Sequence, residues 1–275
     1  MNLSRRDLDS NVVNIELTLA SIIQGVALYF LTENARTALS LNNWPALLYL
    51  SAGLCIIFIF WSRSIIHTLT LIKWPLEFGH NFFYIACALG EAILFTRLDC
   101  PLAWFRLSTA YAAFVWLLFV YDVRLIRARL REATNEPDRS LYQRTMEDQS
   151  LNIRVLVPLL FFFNLGCALS IGSWWNFFID RAGHVWLIAA QLLSFLVYLF
   201  YVTRFYNGIA PLILRSHALH CDPDLRLALH SGFAIREPTH RRLGSSDRRF
   251  LVARRWLSHD LLLHPFWPKS GPPII

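Results

Sequence analysis

Between Glu77 and Glu91 the chain reads Glu77-Phe-Gly-His80-Asn81-Phe-Phe-Tyr84-Ile-Ala-Cys87-Ala-Leu-Gly90-Glu91. Carboxylates and an imidazole at this spacing are the residue types that take up, hold and release protons. At about 100° per residue, a helix gathers Glu77, His80, Asn81, Tyr84, Cys87 and Glu91 into an arc of roughly 120°. The remaining surface of that helix is Phe, Ile, Ala and Leu. A polar stripe ending in a carboxylate, inside a segment of bilayer-crossing character, needs polar neighbours or water. His80 and Glu91 are three turns apart, about 16 Å, which is too far for direct proton transfer. Tyr84 and Cys87 stand between them, with water as the expected relay.

Other apolar segments offer neighbours. Asn14, Thr18, Ser21 and Gln24 form a broad polar face in the first. Trp104, Ser108, Tyr111 and Asp122 share a face in the fourth, and Gln191, Ser194, Tyr198 and Tyr201 share one in the sixth. At about 1.5 Å per residue, Glu91, Gln24 and Gln191 come out at a similar depth, roughly 18–20 Å from one side, with Tyr111 and Asn164 nearer the middle. The candidate polar interior is therefore Glu91, His80, Glu77, Asn81, Tyr84, Gln24, Gln191, Tyr198, Tyr111 and Asn164. A charged carboxylate at that depth costs several kcal/mol unless solvated or paired.

The first functional reading is a channel or transporter for protons, ions or a small solute, centred on Glu91. The alternative is interhelical glue: a membrane-embedded sensor or interaction module without transport or catalysis, since such hydrogen bonds are common at well under 2 kcal/mol each. An enzyme is the weakest reading, because no HExxH, CxxC pair, Walker loop or GxSxG is present. No selectivity-filter sequence is seen either. Nothing in the motifs calls for a cofactor or a metal. His217, His220, Cys221 and Asp222 cluster by composition, but their spacing matches no zinc pattern.

The elements that must position these residues are apolar segments at 12–31, 46–61, 78–96, 102–121, 155–171 and 185–202. Each approaches the roughly 20 residues that cross a hydrocarbon core about 30 Å thick. The expected fold is all-α, a polytopic bundle of about six transmembrane helices. The first segment is expected to stay as an anchor, being too long for a cleaved signal and lacking a small-residue cleavage site after it. Residues 64–74 are expected either to extend the second helix or to lie in the interface. Arg124, Arg127, Arg129, Arg131, Arg139 and Arg144 follow the fourth segment, and more arginines follow the sixth. Positive-inside bias then puts both termini and a loop at about 122–154 in the cytoplasm of a cell inner (plasma) membrane. Even-numbered segments end in an aromatic three residues before an arginine: Phe60–Arg63, Tyr121–Arg124 and Tyr201–Arg204. That repeat suggests three stacked helical hairpins.

Composition agrees with a membrane protein. The 275 residues are 55% hydrophobic and 16% charged, against about 25% charged in a soluble domain. The net charge of +7 is concentrated beside the apolar segments, so it is read as membrane topology rather than nucleic-acid binding. Of the five cysteines, Cys55, Cys87 and Cys167 lie in apolar segments as small core residues. Residues 1–11 form a cytoplasmic N-terminus and 205–275 a basic, His-rich tail. Within the tail, 248–264 reads as an amphipathic helix for a lipid surface, through Arg248, Arg249, Arg254, Arg255 and Trp256. The expected partners are the lipid bilayer and either a second copy of the chain or a cytoplasmic protein.

Overall fold

The computed structural model describes residues 5–71 and 78–221. Glu77 and residues 222–275 lie outside the described residues, and with them the segment at 248–264. The described elements are all helical: α1 (Arg5–Ser40), α2 (Trp44–Leu71), α3 (Phe78–Phe95), α4 (Pro101–Glu132), α5 (Glu136–Leu151), α6 (Val157–Ser173) and α7 (His184–Cys221). Four stretches among the described residues are long and apolar enough to cross a membrane: Trp44–Ser64, Pro101–Glu132, Glu136–Ser173 and His184–Ser216. Gly79–Phe95 is a shorter apolar helix.

The distribution of side chains is that of a helical membrane protein. Leu159, Phe162, Leu169, Trp186, Leu193 and Phe200 are exposed, while Arg63, His80, Glu91, Asp122, Asp148 and Gln191 are buried. Water would reverse that arrangement, whereas a hydrocarbon surround rewards it.

Local chemistry sets the helix ends. Pro101 opens α4, where its missing N–H costs nothing, and Arg129 and Arg131 occupy the last turn, where cations suit the helix dipole. Ala133 is extended and stops α4. α5 restarts at once, with Glu136 and Asp138 in its first turn. Within the segment at 122–154, α4 runs on as a helical extension to Glu132, a break of a few residues follows, and α5 fills the rest. Likewise residues 64–71 extend α2 rather than leaving it.

α5 and α6 form one rod through a π-helical turn at Asn152–Leu156, where the Val157 N–H bonds the Asn152 carbonyl. The turn has a physical reason. Pro158 has no N–H to give to the carbonyl of Arg154 and its ring would press on it, so the hydrogen-bond ladder must be rearranged just there.

Packing departs from three sequential hairpins at the last one. α1 packs on α2 and α3 on α4, but α6 packs on α4 and α7 on α2. α6 and α7 face each other across a cavity of about 610 Å³ instead. They meet directly where Gln191 Nε2 of α7 donates to Asn164 Oδ1 of α6 at 2.6 Å.

Candidate functional site

The cavity lies between the α2–α7 pair and the α4–α6 pair. Its walls are Ile56, Ala112, Val115, Leu160, Phe163 and Phe195 among others. One end, where α2 finishes and α3 starts, is lined by Arg63, Ser64, His80, Tyr84, Tyr198 and Tyr201, and the other reaches Tyr111.

Asp148 on α5 is the hub of the polar end. Arg63 Nη1 donates to Asp148 Oδ2 at 2.6 Å and Nη2 to Oδ1 at 3.4 Å. The Tyr201 hydroxyl donates to Oδ1 at 2.6 Å, and Asn152 Nδ2 to Oδ2 at 3.2 Å. Tyr198 closes the ring: its oxygen accepts from Arg63 Nε and Nη2, and its hydroxyl donates to Asn152 Oδ1 at 2.7 Å. A buried guanidinium and carboxylate thus meet in a fork-like geometry, with their remaining valences bonded. That is the condition under which a buried ion pair is tolerated.

Beside it, His80 Nε2 stands 3.1 Å from Asp122 Oδ1, and Gln149 Nε2 donates to Asp122 Oδ2 at 3.4 Å. His80 Nδ1 faces Asn81 Oδ1 at 3.2 Å. The Tyr84 hydroxyl donates to Ser64 Oγ at 2.8 Å, which ties α3 to α2.

Deeper in, Glu91 is fully buried and accepts one hydrogen bond, from the Tyr111 hydroxyl to Oε1 at 3.2 Å. Its Oε2 has no hydrogen-bond partner. Gln191 makes a separate chain: Trp104 Nε1 donates to Gln191 Oε1 at 2.7 Å, and Gln191 Nε2 to Asn164 Oδ1 at 2.6 Å. The expected trio of Gln24, Glu91 and Gln191 is not bonded to one another. Gln24 keeps a buried amide nitrogen with no hydrogen-bond partner. Among the described residues no group of three His, Cys, Asp or Glu could hold a metal ion.

The polar stripes named from sequence therefore resolve into pairs. His80, Tyr84 and Glu91 each reach a different partner, on α4, α2 and α4 respectively. Tyr111, Asn164, Gln191 and Tyr198 are all hydrogen-bonded to side chains on other helices. Sequence reasoning missed Arg63, Asp148, Gln149 and Asn152. Asp148, Gln149 and Asn152 repeat at helical spacing with Thr145, so the periodicity test that found the α3 stripe would have found them too. Arg63 shares its aromatic-then-arginine ending with Arg124 and Arg204, and burial sets it apart.

The arrangement defines an all-helical membrane protein with charged and polar residues in its interior. Comparison of the chain with protein-family models, curated proteins and solved structures returns no match.

Proposed function

We propose that the protein is a membrane transporter whose cycle is linked to protonation of Glu91 and the His80–Asp122 pair. One observation carries this reading: a single cavity touches both His80 and Tyr111, the residue bonded to Glu91. A solute in that cavity would sense both titratable groups, and a proton on either would change what the cavity wall presents. Intramembrane ionisable residues that face an interior are functional-site candidates for this reason. Because the walls are mainly Leu, Ile, Val and Phe, the solute has an apolar body; a bare ion would find few ligands there.

In this reading the chain crosses a plasma membrane six times, with α1 and α3 completing the set. The arginine-rich ends of α4 and α7 lie in the cytoplasm, and residues 248–264 lie on the lipid surface.

The second reading, a sensor or interaction module, is favoured by the Asp148 hub and the Trp104–Gln191–Asn164 chain, which look like interhelical glue. Proteoliposomes with an internal pH dye separate the two. Wild type is expected to move protons when an apolar-bodied substrate is present, and Glu91→Gln to lose at least about 90% of that flux with its fold intact. Equal flux in wild type and in Glu91→Gln would end the proton-linked reading.

A further inference from the structure

The cavity has a mouth. Leu159 on α6 is 66% exposed, and Leu193 and Val197 on α7 are 62% and 61% exposed, yet all three line the cavity. The opening is therefore sideways, between α6 and α7, through residues whose other faces meet the surrounding hydrocarbon. A solute from water would have to pass an apolar rim, whereas a molecule already in the bilayer would not.

Size narrows the choice. Along α2 the lining runs from Ile56 to Ser64 and along the α5–α6 rod from Leu151 to Phe163. These are about 12 and 18 Å of helix, close to the roughly 15 Å that one leaflet contributes to the hydrocarbon core. The volume of about 610 Å³ lies in the range of single-ligand pockets.

Charge narrows it further. Arg63 is committed to Asp148, so the polar end of the cavity has no surplus charge to offer a ligand. Surplus positive charge stands outside it. Arg204 is exposed and lies 7 residues after Val197 and 11 after Leu193, within about 20° of the same helical face. Arg144 is also exposed and donates to the Gly208 carbonyl at 3.3 Å, one turn beyond Arg204. Both arginines stand beyond the polar end of the cavity, where the headgroup of a lipid in the adjoining leaflet would be.

We propose that the cavity seats an acyl chain of an anionic phospholipid, which enters from the bilayer between α6 and α7 and rests its phosphate on Arg204 and Arg144. This deepens the transport reading by naming the ligand class of the same cavity. It is tested by binding rather than flux, so either can fail alone.

The test is native mass spectrometry of the delipidated full chain in detergent, titrated with palmitoyl-oleoyl phosphatidylglycerol and, separately, with the phosphatidylcholine of the same chains. Wild type is expected to retain one phosphatidylglycerol and to bind phosphatidylcholine more weakly. Ser194→Trp fills the mouth at an exposed position whose hydroxyl bonds only its own helix, to the Ala190 carbonyl. It should abolish the retained lipid at an unchanged melting temperature, and Val197→Trp serves if Ser194→Trp does not fold. Arg204→Ala and Arg144→Ala should each weaken phosphatidylglycerol about fivefold and phosphatidylcholine, whose choline offsets its phosphate, by less. Retention of phosphatidylglycerol by a folded mouth-filling variant would overturn the site. So would equal retention of both lipids, insensitive to the two arginines.

Discussion

Two buried carboxylates, Asp148 and Glu91, are treated in opposite ways by the same bundle. Asp148 accepts from Arg63 on both oxygens and from Tyr201 and Asn152 as well. Glu91 accepts once, over 3.2 Å, and leaves Oε2 without a hydrogen-bond partner. A buried carboxylate paired with a cation and bonded by its neighbours is fixed in position, and removing its partner disrupts the fold. A carboxyl held by one tyrosine contributes little to joining the helices. The difference separates the two regions: the Asp148 region joins α2, α5 and α7 mechanically, whereas the Glu91 region adds one long link between α3 and α4.

The strongest way to break this comparison is at Arg63. Arg63→Ala leaves Asp148 buried without its cation and should lower unfolding stability by about 3–5 kcal/mol. Chemical unfolding in detergent reads this directly, and a loss below about 1 kcal/mol would mean the hub is not structural. Next comes Gln191→Leu, which strands the Trp104 N–H and the Asn164 carbonyl; a loss of about 1–2 kcal/mol is expected. Tyr201→Phe removes one of several bonds to Asp148 and should cost about 1 kcal/mol, with a smaller effect when made in the Arg63→Ala background. The smallest stability effect belongs to Glu91→Gln. An amide still accepts from Tyr111, so the melting temperature should barely move while proton-linked flux falls. A large destabilisation by Glu91→Gln would put Glu91 in the same class as Asp148 and collapse the contrast.

Much of this was legible in the chain. Hydrophobic runs separated by proline and arginine mark the helices, and the stripe from His80 to Glu91 marks the buried face of α3, because a helix turns each period of about 3.6 residues to one side. Three aromatic-then-arginine endings looked alike, but Arg63 is buried in an ion pair, Arg124 lies over the Tyr121 ring and Arg204 is exposed. Their neighbours in space decide that, and spacing along one helix cannot report them. The same limit hid the pairing of α6 with α4 and of α7 with α2. Depth along the bundle placed Gln24, Glu91 and Gln191 together, but it carries no information on rotation about each helix axis.

The π-helical turn at Asn152–Leu156 acts as a phase adjuster between two contacts that must both be met. It takes up about one residue more than an α-helical turn, which is a rotation of about 100°. On one side of it Asp148 must face Arg63; on the other Asn164 must face Gln191. Were the same residues a regular α-helix throughout, one contact would be turned about 100° away from the other, and the rod could satisfy either but not both. The extra residue of the turn is therefore what the phase can spare: a chain lacking one residue at 153–156 closes as regular helix with both contacts still in phase, whereas one with a further residue there does not.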